Sequence, residues 1–299
     1  MKKYQIYQVD SFTKERFSGN PAGVVTNAEG LADSQMQNIA RELNNSETAF
    51  ILPPTGSEAD IRIRFFTPTT EVPICGHATI GANFVRAVEN NLDSQTIIQE
   101  TDAGNLSIGI TKKDGTYQIS MTQGKISVQE PLSESIQRRI KIALGITEKQ
   151  RNKSCPMVIA STGAAKVMIG IDSQDTLDNL TPDLESLKNI STDINCNGYF
   201  VFVITPDEEN LIHGRMFSPA TGINEDPVTG NANGPLGAYL VKYGLIDVSD
   251  EPLQFSIIQG EAIHRSGTMI VCVHLNHGVP TKIKIVGNAV IAFQTELEI

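Results

Sequence analysis

Long apolar runs are missing from this chain of 299 residues. Stretches such as Tyr199 to Ile204 and Met269 to Val273 are typical, far short of the roughly 18 to 20 residues that a membrane-crossing helix needs. The N-terminus, Met1-Lys2-Lys3 followed by Tyr4, Ile6 and Val9 among polar residues, is patterned as a first strand and not as the apolar core of a signal peptide. A cytoplasmic chain with no membrane partner is expected. Basic clusters are missing too. The formal charge of −10, from 24 Lys and Arg against 34 Asp and Glu, suits neither a phosphate backbone nor an anionic membrane. Nucleic acid is therefore not an expected partner, whereas a small anion held by local backbone dipoles is.

Metal and nucleotide signatures are equally scarce. The four cysteines, Cys75, Cys155, Cys196 and Cys272, form no Cys-x-x-Cys pair. The five histidines offer no metal spacing beyond His274-x-x-His277, which reads as flanking a strand end and a turn. No structural metal is expected, and the cysteines are expected as free thiols. A Walker A loop, a Gly-x-Gly-x-x-Gly fingerprint and a Gly-x-Ser-x-Gly elbow are also absent. Any active site is expected to work without nucleotide or metal.

What is present is a strand-rich pattern at 40% apolar content, long enough for two domains. Short alternating segments bounded by Gly, Pro, Asn or Asp run from Tyr4–Phe12 through Ala59–Phe66 and Tyr199–Ile204 to Thr281–Phe293. Helices are fewer. Met36, Ile39, Ala40 and Leu43 mark one amphipathic helix, and Leu132, Ile136, Ile140 and Leu144 mark another that Gly145 stops. Thr181-Pro182-Asp183 is expected to open a third, with a cap residue and then proline at the first helical position. Two more begin at Gly76 and Gly230 and are apolar nearly all round, which predicts buried helices. Strands in series around a few helices indicate the α+β class.

One internal similarity organises the chain. Arg64-Phe65-Phe66-Thr67-Pro68 recurs as Arg215-Met216-Phe217-Ser218-Pro219, an offset of 151 residues. Each copy leads through a loop to a glycine that opens a buried helix, so two similar domains facing each other are expected. The boundary is expected near Gly124 to Pro131.

Four segments carry residue types suited to chemistry. In Pro73-Ile74-Cys75-Gly76-His77-Ala78-Thr79, glycine at a helix start lets a ligand approach free N–H groups. Cys75 sits where a thiolate is stabilised, and His77 can donate or transfer a proton. A buried cysteine beside a turn-capping histidine is the alternative. In Asn224-Glu225-Asp226-Pro227-Val228-Thr229-Gly230-Asn231, two carboxylates precede a second helix start. A surface acidic turn is the alternative there. Glu47, in Ser46-Glu47-Thr48-Ala49-Phe50, stands between a helix and an apolar strand and becomes a usable base or acid if desolvated; a surface glutamate is the alternative, and the commoner one on local sequence alone. Gly19-Asn20-Pro21 predicts a rigid turn able to present the Asn20 amide, with Ser161-Thr162-Gly163-Ala164-Ala165 as a candidate counterpart; a plain hairpin turn is an equal alternative for both.

Together these motifs, with Val9-Asp10-Ser11-Phe12 near the start, resemble the phenazine-biosynthesis, PhzF-like family, related in fold to diaminopimelate epimerase. The resemblance runs over essentially the whole chain. It implies two pseudo-symmetric domains, each a mostly antiparallel, curled β-sheet or barrel around a central helix, with the active site between them. The first would span residues 1–125, completed by a C-terminal strand within 287–299, and the second 126–286. It also implies a cofactor-independent isomerase that moves a proton on a small cyclic or amino carboxylic acid. Glu47 would shuttle the proton, with His77 and Asp226 as assisting acid/base groups. Asn20 and Cys75 would contact substrate, and the backbone near Gly76, His77, Gly230 and Asn231 would hold its carboxylate. Phenazine-pathway members carry a serine where this chain has Asn231, which puts their particular substrate in question here. Two alternatives remain open: a two-base epimerase or racemase using Cys75, and a non-catalytic ligand-binding relative. The expected partner is a small carboxylate, with a homodimer as an open option.

Overall fold

The structure, a computed structural model, describes residues 1–205, 211–248 and 251–299. In chain order the first elements are β1 (Lys3–Ser11), β2 (Asn20–Val25), α1 (Asp33–Leu43), β3 (Thr48–Leu52), β4 (Ile61–Phe66), β5 (Glu71–Val72), α2 (Gly76–Glu89), β6 (Gln95–Thr101), β7 (Gly104–Lys113) and β8 (Thr116–Thr122). Next come β9 (Ser127–Pro131), α3 (Glu134–Leu144), β10 (Val158–Ser161), β11 (Lys166–Gly170), α4 (Gln174–Asp178), α5 (Leu184–Ile194), β12 (Tyr199–Ile204), β13 (Leu211–Ser218) and β14 (Ile223–Asp226). The chain closes with α6 (Gly230–Lys242), β15 (Leu253–Gln259), β16 (Gly267–Asn276), β17 (Val279–Gly287) and β18 (Ala289–Glu298). These form two compact units, residues 1–122 with 286–299 and residues 123–285. No helix among the described residues is long and apolar enough to cross a membrane.

In the first unit the strands run β18-β1-β2-β3-β4-β6-β7-β8. All neighbours are antiparallel except β2–β3 and β4–β6, which pair in parallel. A parallel pair needs a crossover, and helices supply both: α1 joins β2 to β3, and α2 lies between β4 and β6. The second unit repeats the plan as β9-β10-β11-β12-β13-β15-β16. Its parallel pairs are β11–β12, crossed by α4 and α5, and β13–β15, crossed by α6. Each unit is thus an α+β, mostly antiparallel sheet with one apolar helix at its centre.

Sequence explains which helix goes where. The α1 stripe of Met36, Ile39 and Ala40 packs on Tyr4, Ile6, Phe50 and Phe66, with the two phenylalanine rings edge to face at 5.4 Å. Its other face is polar. By contrast, α2 buries every residue from His77 to Val85, and α6 every residue from Ala232 to Leu240. Burying one Ile or Leu side chain is worth about 1.5–3 kcal/mol, so the central helices anchor their units. Each also buries an amide. Asn83 donates to Gln99 Oε1 at 2.8 Å, and Asn233 donates to Gln259 Oε1 at 3.1 Å.

Several expectations need correction. The segment Thr281–Phe293 is not one strand: Asn288 separates β17 from β18. The cap of α5 is Asp183, whose Oδ1 accepts the Ser186 N–H at 3.0 Å. Thr181 and Pro182 lie outside the helix because an aspartate in extended backbone caps better than a threonine followed by proline. Asn20 opens β2 opposite Ser11. The turn there lies one residue earlier, at Gly19 with φ +62°, where a Cβ would sit 2.2 Å from the Ser11 carbonyl oxygen. Three strands and one helix, β5, β9, β14 and α4, carry too few residues or too much polar character to show periodicity.

Candidate active site

In the first unit the site is assembled by the chain leaving α1. Asn44 ends that helix in the left-handed conformation, at φ 54°. Asn45 then exchanges two amide hydrogen bonds with Gln8 of β1, at 2.8 and 2.9 Å. The Glu47 carbonyl accepts the Gly23 N–H of β2 at 3.3 Å. Glu47 is thereby fixed on both sides before β3 begins, with its side chain 17% exposed.

Facing it is the start of α2. Cys75 is the N-cap residue in extended backbone, and no side chain caps this end. His77 lies in the first turn, its carbonyl held by the Ser11 hydroxyl at 2.8 Å. The buried His77 ring presents Nε2 to Glu47 Oε2 at 3.4 Å and to Ser46 Oγ at 3.3 Å. Cys75 Sγ is 3.4 Å from Nδ1 of the same ring. Glu47, Cys75 and His77 therefore converge, and Ser46 joins them. Asn20 is buried on the neighbouring strand, paired with the same Ser11 that fixes His77.

In the second unit Asp226 ends β14, opposite Met216. The Thr229 hydroxyl donates to its Oδ2. Gln259, wholly buried, donates from Nε2 to the Asp226 carbonyl at 2.7 Å and to Thr229 Oγ1 at 3.1 Å. Thr229 is the N-cap of α6, yet spends its hydroxyl on Asp226, so this helix start also has no side-chain cap. Gly230 and Asn231 follow. A Cβ on Gly230 would meet only the end of Ile285, at 2.6 Å, and the Asn231 amide oxygen lies 3.5 Å from where a Gly163 Cβ would stand.

Glu225 is not a second site carboxylate. Arg215 grips it through Nε at 2.9 Å and a terminal nitrogen at 2.7 Å, in a pair that is 9% and 10% exposed. The other terminal nitrogen caps α4, donating to the Leu177 and Leu180 carbonyls at 3.0 Å each. The first repeat has the same clamp: Arg64 binds Glu71 at 2.6 and 2.7 Å. In both copies the guanidinium carbon lies 5.1 Å from the centre of the phenylalanine ring two residues on. The recurring Arg-x-Phe thus ties the short strand ahead of each central helix to the sheet.

Sequence reading missed Lys166. At the repeat offset of 151, Tyr199 answers to Thr48 and Gly198 to Glu47. Gly198 has no side chain because Lys166 lies across it: a Cβ there would be 2.2 Å from Lys166 Cδ. The ammonium is buried and donates to the Ala165 carbonyl at 3.2 Å. Burial pulls its pKa down, partly opposed by Cys196 and Asp226. The second unit thus lays a buried lysine across the position that answers to Glu47. The offset shows that Glu47 has no counterpart at Gly198, but only the pairing of β11 with β12 brings Lys166 there.

All four cysteines are free and buried. Burial pushes the Cys155 thiol up to about 11 and raises Cys196 and Cys272 as well.

Known proteins match this arrangement along its whole length. The family model for phenazine biosynthesis-like proteins (PhzC/PhzF) matches residues 9–295. An uncharacterized isomerase of Clostridium acetobutylicum is 51% identical over 99% of both chains. The trans-2,3-dihydro-3-hydroxyanthranilate isomerase of Pseudomonas fluorescens is 31% identical, over 94% of this chain and 95% of that one. A Bacillus anthracis crystal structure of the PhzF family superimposes with a TM-score of 0.89 at 32% identity, covering 100% of each chain. With two repeated units, each built on a central helix, and with these relatives, the chain belongs to the phenazine biosynthesis-like (PhzC/PhzF) family and is an isomerase of that family.

Proposed function

We propose that this isomerase moves a proton on a small cyclic or amino carboxylic acid without a cofactor, with Glu47 as the base. The observation that carries the reading is the Glu47 carboxylate beside the His77 imidazole at 3.4 Å, with the Ser46 hydroxyl at 3.3 Å from the same ring nitrogen. An isomerisation needs one group to take and return a proton, and a partly desolvated carboxylate with a proton-handling neighbour can do both. Asp226, hydrogen-bonded to Thr229, is the second acid/base group. The uncapped starts of α2 and α6 supply free N–H groups and positive dipole ends, each worth about 0.3–2 kcal/mol to an anion. With the protein at −10 overall, local geometry of this kind must recruit the carboxylate.

The Pseudomonas relative acts, by its name, on trans-2,3-dihydro-3-hydroxyanthranilate. The same chemical class is the first to test, with Asn231 choosing among its members. A two-thiol epimerase would use Cys75 and a second thiolate, but Cys155, Cys196 and Cys272 are all buried, and burial raises their pKa values, which disfavours a thiolate at any of them. The test is a panel of cyclic and amino carboxylic acids with their amides, followed by thermal melting and by deuterium incorporation in D2O. Acids should raise the melting temperature and at least one should exchange, while the amides do neither. Equal shifts with acids and amides would overturn the carboxylate reading.

A further inference from the structure

Glu47, Cys75 and His77 bring a carboxylate, a thiol and an imidazole to one point of the first unit. One ligand atom from each lies within 4.8 Å of the others. Cys75 Sγ is 3.4 Å from His77 Nδ1 and 3.9 Å from Nε2, and Nε2 is 3.4 Å from Glu47 Oε2. A tetrahedral zinc ion, with bonds of about 2.3 Å to sulfur and about 2.0–2.2 Å to nitrogen and oxygen, spaces such ligands roughly 3.3–3.6 Å apart. With Nε2 as the ligand nitrogen, the nitrogen–oxygen separation of 3.4 Å already matches, the sulfur–nitrogen separation of 3.9 Å is a few tenths of an ångström long, and sulfur and oxygen, within 4.8 Å, close around the ion by side-chain rotation. Three protein ligands leave the fourth position for water, the pattern of open zinc sites. Thiolate and imidazole favour zinc or cobalt over magnesium or calcium.

We propose that Glu47, Cys75 and His77 form a zinc-binding site that shuts the isomerase off when filled. On binding, the Cys75 thiol releases its proton to solvent and the sulfur bonds the metal. The His77 ring nitrogen and a Glu47 oxygen give their lone pairs to the same ion. The base is then unable to accept a proton from substrate. Inhibition rests on the proton-transfer reading given above; binding does not.

Binding is therefore measured without substrate. Zn2+ is titrated into the intact protein against a chromophoric chelator, and Co2+ is added separately to look for the near-ultraviolet charge-transfer band of a cobalt–thiolate bond. One equivalent of Zn2+ and a thiolate band are expected. Cys75→Ser should abolish the band, and Cys75→Ser and His77→Gln should each weaken Zn2+ at least tenfold, with thermal melting reporting that both variants fold. Cys272→Ser, away from the cluster, should retain band and affinity. Zn2+, but not Mg2+ or Ca2+, should also stop deuterium exchange, and a chelator should restore it. Undiminished Zn2+ affinity in Cys75→Ser, or Co2+ bound without a thiolate band, would overturn the site. Normal zinc binding with undisturbed exchange would overturn the shut-off and count against Glu47 as the base.

Discussion

The repeated arginine clamp allows one ion pair to be weighed in two settings. In the second unit Arg215 and Glu225 are 9% and 10% exposed. In the first, Arg64 is 13% exposed, but its partners Glu71 and Asp33 are 29% and 79% exposed. Arg215→Met leaves Glu225 buried without its cation and strips the Leu177 and Leu180 carbonyls of their donor. Breaking a buried pair in this way costs about 3–5 kcal/mol. Arg64→Met leaves carboxylates that water can reach, so its cost should sit closer to the roughly 1 kcal/mol upper range of exposed pairs. The assay is urea unfolding of both variants beside the parent chain, with thermal melting as a second probe. At about 2–4 °C per kcal/mol for a unit of this size, Arg215→Met should lower the melting point by roughly 6–20 °C. Adding Glu225→Met should recover much of that loss, since the stranded charge goes with it, though the orphaned carbonyls remain. Equal losses for Arg64→Met and Arg215→Met, or no recovery in the double variant, would refute the reasoning.

Lys166 supplies a pH test. Its folded-state pKa lies below the ordinary 10.5, so between those two values the unfolded chain holds more protons and stability rises with pH. Lys166→Met should lack that rise when urea midpoints are compared across the alkaline range; parallel profiles would sink the claim. The raised pKa values of Cys155, Cys196 and Cys272 leave them little thiolate at pH 8, so a thiol reagent should label them only on unfolding. Peptide mapping after brief labelling reads this directly, and rapid modification of any of the three in the folded protein would contradict it. Gly19→Ala, at φ +62° and with its Cβ 2.2 Å from the Ser11 carbonyl oxygen, should destabilise by about 1 kcal/mol or more; unchanged urea midpoints would show the turn to be less constrained.

Strand alternation, the buried character of the two central helices and the Arg-x-Phe repeat were legible in the sequence because each is a local pattern. The short elements were not. β5 has two residues, and β9, Ser127-Val128-Gln129-Glu130-Pro131, is a largely exposed polar edge. Site residues divide the same way. Glu47, Cys75 and His77 stood out as motifs, but their meeting depends on α1 carrying the chain from β2 to its parallel neighbour β3. That is a non-local event. Lys166, at the start of a strand, carries the signature of a solvated end. Its burial follows from Gly198 on the next strand, which only the pairing of β11 with β12 reveals. Glu225 looked like a partner for Asp226 because sequence shows adjacency and not that Arg215 occupies it.

The central claim is that Glu47, and not a cysteine, moves the proton. Its direct measurement is the rate of deuterium incorporation from D2O into whichever acid the parent chain exchanges, compared with Glu47→Gln and Cys75→Ser, with melting curves showing all three folded. Loss of a general base costs roughly two to four decades, so Glu47→Gln should fall by at least about a hundredfold while Cys75→Ser retains most of its exchange. Full exchange by Glu47→Gln, or complete loss in Cys75→Ser alone, would contradict the assignment.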